Sequence, residues 1–261
     1  MSTLEAILLG IIQGLTEFFP ISSSGHLELG QIFLGLTNLD HYVLFNLVCH
    51  LGTLLAVFFV FFEQIKQTFL SDRVRFAQVV LGTLPLFPLV LVIAPIKALF
   101  DQPQYLGYCF FFTAFLLYMG IRMGECTPSA ILKKRRWRDA LIIGTFQAVA
   151  ILPGVSRSGA TISAGRLLGW KQEEAVTFSF LLAIPAILGG VTLELLQLLK
   201  SGASLPPIAG MQYAAGFFTS LGVGYLALQW LIQLAAKGRL IYFVWYCLFI
   251  GTATALYFNL P

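Results

Sequence analysis

Apolar runs long enough to cross a bilayer recur along this 261-residue chain, separated by short polar clusters. They predict membrane-spanning helices near 41–63, 76–99, 104–123, 174–199, 209–234 and 240–259. Two other segments, about 4–34 and 138–169, follow a different pattern. Each is an apolar helix broken by proline and a run of serine and glycine, then a shorter amphipathic piece. Exposed backbone polar groups are not tolerated in lipid, so such a turn at membrane depth predicts a re-entrant hairpin surrounded by protein or by a water-filled cavity. The expectation is an all-α polytopic membrane protein with six transmembrane helices plus two re-entrant helical hairpins. Composition agrees: 58% of residues are hydrophobic, 11% are charged and the mean hydropathy is +0.85.

The two interrupted segments are diverged copies of one pattern. Gln13-Gly-Leu-Thr-Glu-Phe-Phe-Pro-Ile-Ser-Ser-Ser-Gly-His26 and Gln147-Ala-Val-Ala-Ile-Leu-Pro-Gly-Val-Ser-Arg-Ser-Gly-Ala-Thr161 align Ser22, Ser24 and Gly25 with Ser156, Ser158 and Gly159. Three spans separate them, an odd number, so the second hairpin is expected to enter from the face opposite the first. That describes an inverted-topology repeat in a single membrane domain: repeat one over 1–123 with its hairpin at 4–34, repeat two over 138–261 with its hairpin at 138–169. Charge orients it. Lys66, Arg73, Arg75, Arg122, Lys133, Lys134, Arg135, Arg136, Arg138, Lys237 and Arg239 fall on one face if the spans alternate, whereas Lys97 and Lys200 fall on the other. The positive-inside rule puts the first face in the cytoplasm and both termini outside. The basic run 133–138 is read as topology and anionic-lipid contact, with no nucleic-acid partner. Met-Ser-Thr-Leu-Glu lacks a basic stretch before its apolar run, so residues 1–20 are not expected to be a cleaved signal.

Chemistry concentrates in the two turns. Gln13 and Glu17 are four apart and share one helical face. An ionised Glu17 in lipid is costly, so it is expected to face a cavity and pair with a cation, a metal or a proton. Ser22, Ser23, Ser24 and Gly25 add hydroxyls and a flexible turn, and His26 adds a side chain that titrates near neutral pH. Any one of these serines is more often a helix cap; three beside Glu and His point to a reactive site. In the second turn, Gly154 to Gly159 surround Arg157 with small residues before a helix start. A guanidinium, the Ser156, Ser158 and Thr161 hydroxyls and free backbone N–H groups make a phosphate cradle. The alternative at this point is an Arg157–Glu17 salt bridge in a transporter core.

Available ligands for a metal are carboxylate, amide, hydroxyl and substrate phosphate, which suits a divalent cation such as Mg²⁺ or Ca²⁺ and not zinc. Glu17 with Gln13 is the candidate metal pair. His41 reads as interfacial and His50 as a hydrogen-bonded helix residue. Cys49, Cys109, Cys126 and Cys247 have no ligand spacing and are given no disulfide, metal or redox role. Gly216, Gly222 and Gly224 permit close helix packing within the chain or in a homodimer.

The pair Q-G-L-T-E-F-F-P-I-S-S-S-G-H and P-G-V-S-R-S-G-A-T resembles the two signature segments of the undecaprenyl-diphosphatase, or bacitracin-resistance, family. The likeness extends to His-Leu-Gly-Thr-Leu-Leu-Ala at 50–56 and Phe-Ser-Phe-Leu-Leu-Ala-Ile-Pro at 178–185. The resemblance implies metal-aided hydrolysis of undecaprenyl diphosphate to the monophosphate and inorganic phosphate in the bacterial cytoplasmic (inner) membrane, where the termini already read as outside become periplasmic and substrate entry is favoured from the periplasmic side. It implies Glu17 as metal ligand or base, Ser23 as candidate nucleophile, and His26 as proton-transfer group or rival nucleophile. Arg157, Ser156 and Thr161 would then bind the diphosphate, with Ser22, Ser24, Gly154 and Ser158 lining the same cradle. Water activated by Glu17 or the metal is the third nucleophile. The family's first motif opens on Glu or Gln; here Gln13 supplies no second carboxylate. The partners implied are a polyprenyl diphosphate lipid and the surrounding membrane lipids. Type-2 phosphatidic-acid phosphatases also join Ser-Gly-His to a later Ser-Arg, but need a histidine where this chain has Ser163. A lipid-phosphate transporter or flippase shares the inverted-repeat architecture and is the functional rival.

Overall fold

The computed structural model of the chain describes residues 1–36, 39–90, 102–125, 137–201 and 208–259. Among these the secondary structure is helical throughout. In chain order the α-helices are α1 Thr3–Phe18, α2 Ser23–Phe33, α3 Val43–Val60, α4 Phe62–Leu70, α5 Arg73–Thr83, α6 Leu86–Val90, α7 Leu106–Glu125, α8 Trp137–Val149, α9 Arg157–Leu167, α10 Gln172–Ser201, α11 Gly210–Ala236 and α12 Ile241–Asn259.

Five described segments are long and apolar enough to cross a membrane: Val43–Val60, Pro103–Gly124, Gln172–Lys200, Gly210–Ala236 and Ile241–Asn259. They coincide with five of the six expected spans, and the protein is a multi-pass membrane protein. The remaining span, 76–99, differs from expectation within its described part. Its helix stops at Thr83 and restarts as the short α6 at Leu86, because Pro85 has no N–H to continue the ladder. Residues 91–99 with Lys97, the basic run 133–136 and Cys126 lie outside the described residues.

Each interrupted segment forms a pair of packed helices joined by its turn, α1 with α2 and α8 with α9. Their long helices are held by small residues. A methyl group at Gly10 would lie 2.9 Å from the Gly216 carbonyl oxygen, and one at Gly14 would lie 2.9 Å from the Gly224 nitrogen. α1 therefore lies backbone to backbone against α11. In the same way α8 of the second half lies against α5 of the first, where a methyl at Gly144 would collide with the Gly82 carbonyl. Gly216 and Gly224 thus serve packing within the chain, while Gly222 faces open space.

Aromatic packing anchors the end of α1 beside the first turn. Phe18 is fully buried and meets Phe180 of α10 edge-on at 5.6 Å, and Phe61 stacks on the same ring at 5.7 Å. Phe19 meets Trp230 of α11 and Phe243 of α12 at 5.5 and 5.0 Å. The outer surface is apolar as well, with Phe59, Phe87, Phe218 and Phe249 all exposed. An aliphatic and aromatic exterior of this kind matches hydrocarbon, not water.

Candidate active site

The two turns meet. Gly154 N donates to Ser24 Oγ at 3.4 Å, and Ser158 Oγ donates to the Phe19 carbonyl at 3.5 Å. The helices that follow begin alike. Ser22 caps α2 by accepting from Gly25 N at 3.5 Å, and Ser156 caps α9 by accepting from Gly159 N at 3.0 Å. Two helix N-termini therefore face one place, each with unsatisfied N–H groups and a positive dipole end. Beyond the caps, Ser22 and Ser24 are 3.3 Å apart through their hydroxyls, and Ser156 and Ser158 are 3.2 Å apart.

Glu17 is the centre of the polar cluster. Its Oε1 accepts from Arg157 Nη2 at 2.5 Å, a bond between the two halves of the chain. Its Oε2 accepts from Ser23 Oγ at 2.7 Å and from Gln13 Nε2 at 3.1 Å, and lies 3.6 Å from His50 Nε2. The carboxylate is 5% exposed and the guanidinium 16%, so the pair is largely withdrawn from solvent and removing either partner strands the other. Arg157 Nη1 is buried without a protein partner.

A cavity of about 870 Å³ opens beside this cluster. Glu17, Ser22, Ser23, Ser24, Ser156, Arg157 and Ser158 line it, together with His50, Gln147, Thr83 at the end of α5 and apolar side chains of α6 and α10. Phe87 belongs both to its wall and to the outer surface, where 64% of the residue is exposed. The cavity thus has a polar end at the two turns and an apolar end toward α6 and the part of α10 around Pro185.

Three residues expected at the phosphate-handling surface lie behind it. His26 is buried outside the cavity lining: its Nδ1 is 2.7 Å from the Ser22 carbonyl, which only accepts, so Nδ1 carries the proton and Nε2 accepts from Tyr246 OH at 2.8 Å. Thr161 Oγ1 is 2.6 Å from Ser179 Oγ of α10 and is also bonded to the Arg157 carbonyl. Gly154 adopts φ +85, which only glycine holds without strain, and forms the turn itself. Gln13 is fully buried behind Glu17, with its Oε1 left unpartnered.

His50 and Gln147 were not among the expected site residues. His50 Nδ1 donates to the Asn46 carbonyl at 2.7 Å, which directs Nε2 at Glu17. A polar residue inside an otherwise apolar span was the available signal. Among the described residues no group of three or more His, Cys, Asp or Glu could hold a metal ion. One carboxylate with one unpartnered amide oxygen instead suits a hard cation that takes its other ligands from water and phosphate.

Comparison with known proteins shows the family. The family described as "Bacitracin resistance protein BacA" matches residues 6–253. The chain belongs to the BacA family. A relative from Protochlamydia amoebophila named undecaprenyl-diphosphatase is 58% identical over 261 residues, all of both chains. Proteins of the same name from Carboxydothermus hydrogenoformans and Rhodopirellula baltica are 36% identical over 253 residues and 38% over 255. They cover 96% and 97% of this chain and 95% and 97% of the relatives.

Proposed function

We infer that this chain hydrolyses undecaprenyl diphosphate to undecaprenyl phosphate and inorganic phosphate, recycling the lipid carrier of bacterial cell-wall synthesis. The observation that carries the reading is Ser23–Glu17–Arg157: a hydroxyl, a carboxylate and a guanidinium joined at 2.7 and 2.5 Å on the wall of one cavity.

Ser23 Oγ attacks the terminal phosphorus while its proton passes to Glu17 Oε2. The bond from that phosphorus to the bridging oxygen breaks, and the lipid monophosphate leaves with the bonding pair. Water then attacks the phosphoserine, Oγ leaves and recovers a proton from Glu17, and orthophosphate is released. Arg157 and the N-termini of α2 and α9 stabilise charge on the phosphoryl oxygens. Arg157 Nη1, without a protein partner, is available for this. His26 is a weaker nucleophile candidate, because both ring nitrogens are engaged away from the cavity.

A divalent cation, Mg²⁺ or Ca²⁺, would be held by Glu17 with the Gln13 carbonyl oxygen, and would neutralise charge on the diphosphate. The apolar end of the cavity suits the isoprenoid tail, with Phe87 and the exposed Gly189 and Gly190 at a lateral opening.

The helix pairs support a re-entrant assignment. At 1.5 Å per residue α1 is roughly 24 Å long and α2 roughly 17 Å, short of the roughly 30 Å hydrocarbon core. An inverted repeat is supported by matched packing between the halves: Gly10 of the first on Gly216 of the second answers Gly144 of the second on Gly82 of the first, with Gly10 and Gly144, and likewise Gly82 and Gly216, 134 residues apart. The sixth span would run through α5 and α6. The family favours the bacterial cytoplasmic (inner) membrane, and the basic loops favour an orientation with both termini periplasmic.

A transporter is the less supported reading, since the relatives carry the name of a hydrolase. The test is orthophosphate release by the purified protein from a long-chain polyprenyl diphosphate, with and without a chelator. Release that is metal-dependent and lost in Ser23→Ala is the expected result; lipid binding with no release overturns the hydrolase.

A further inference from the structure

Gln147 is 2% exposed, lines the cavity, and has no hydrogen-bond partner among the described residues at either its Nε2 or its Oε1. A carboxamide withdrawn from water with both ends unpaired is destabilising unless something supplies the missing bonds. Its counterpart in the first helix pair shows what the position does when it is satisfied. Gln13 reaches one helical turn ahead to Glu17, whereas the residue one turn after Gln147 is Ile151. The second glutamine therefore has no carboxylate on its own helix and faces a space that a ligand enters.

A fully ionised diphosphate ester presents only acceptor oxygens, and the amide NH₂ of Gln147 presents two donors without adding charge. Its place along the wall indicates which phosphate it meets. The terminal phosphate must sit at Ser23 and Arg157 to react. Gln147 lies in the last turn of α8, one turn after Gly144, which packs on α5, the helix that leads to Leu86 and Phe87 at the apolar end. α8 thus links the turn that leads into Arg157 with α5 and α6, which puts the tail side of the reacting groups within the reach of its last turn.

We propose that Gln147 is a specificity-determining residue whose carboxamide donates to the ester-linked phosphate, the one that stays on the lipid. This rests on the diphosphatase reading above. The contact is made equally to substrate, transition state and monophosphate product, so it governs binding and not the chemical step.

The test uses the full-length protein in detergent with Gln147→Met, which keeps an unbranched side chain of similar size but removes the amide. KM for a long-chain polyprenyl diphosphate is expected to rise about 10- to 100-fold, the range for a hydrogen bond to a charged group, with kcat within about threefold. Equilibrium binding of the corresponding polyprenyl monophosphate weakens by the same factor, inhibition by inorganic phosphate is unchanged, and the thermal midpoint is unchanged or higher. Gln147→Glu keeps the shape, turns a charge on the phosphate, and weakens binding at least as much. An unchanged KM with a lowered thermal midpoint makes Gln147 structural and overturns the proposal. Weakened inhibition by inorganic phosphate with intact monophosphate binding also overturns it, by moving the contact to the terminal phosphate. The monophosphate binding arm needs no turnover, so a wild type without hydrolysis would reject the diphosphatase reading while still deciding whether Gln147 holds this phosphate.

Discussion

The first and second turns share a scaffold and divide the chemistry. Both end a long helix lodged by glycine against a neighbour, both cap the next helix with serine, and both pair that serine with another two residues on. Where the first has Ser23 at the first helical position, the second has Arg157; where the first has Glu17, the second has Ile151. They also reverse the chain by different means. The second turn uses Gly154 at φ +85, whereas the first places Ser22 at φ 74, the one described non-glycine residue with positive φ. Such a conformation costs roughly 1–3 kcal/mol and persists when the surroundings enforce it; here the Ser22 carbonyl accepts from both the nitrogen and the Nδ1 of His26. One frame thus yields an acidic, hydroxyl-bearing half and a basic half, and the ion pair between Glu17 and Arg157 joins them.

Severing that ion pair is the strongest way to break the comparison. Arg157→Ala is expected to lower kcat/KM by about 10²- to 10³-fold, as for loss of a group that stabilises transition-state charge. Glu17→Ala is expected to do at least as much. Size-exclusion chromatography in detergent checks that each variant remains inserted and monodisperse, and near-normal turnover in either would sink the site. Next comes the division of labour within the first turn. Ser23→Ala is expected to cost about 10²- to 10⁴-fold in kcat, and His26→Ala at most about tenfold, because His26 faces Tyr246; the reverse order would make the histidine the reacting group.

Smaller effects test the scaffold. Gly10→Ala and Gly144→Ala each force apart backbones in contact, and each is expected to destabilise by about 1–3 kcal/mol, read as a lower thermal midpoint; an effect at only one would weaken the matched packing of the halves. Ser156→Ala removes a cap and is expected to cost about 1 kcal/mol. Ser22→Ala is expected to cost less, since its capping bond is 3.5 Å against 3.0 Å. The mildest change is Gln13→Glu, for which activity is retained and the apparent affinity for the divalent cation rises; complete inactivation would remove Gln13 from the neighbourhood of the ion.

Periodicity and composition made five spans and both helix pairs legible, because hydrocarbon demands long apolar helices and a broken helix leaves proline, glycine and serine in the sequence. The repeated motif also brought Glu17, Ser23 and Arg157 into one hypothesis before any coordinate. Orientation of side chains was less legible. His26 and Thr161 belong to the motifs by position, yet one side chain turns to Tyr246 and the other to Ser179. His50 looked like an ordinary helical histidine and came to face Glu17 because α3 packs beside α1.

What the chain settles locally is its solvent, its helices and the residue types held in each turn, since these follow from hydrophobicity, backbone donors and the special geometry of proline and glycine. Which residues meet was decided by packing over long separations. Glu17 and Arg157 are 140 positions apart and His26 and Tyr246 are 220 apart. No local rule pairs such groups; they meet because glycine-lined helices let α1 and α8 lie close enough to their neighbours for the two turns to touch.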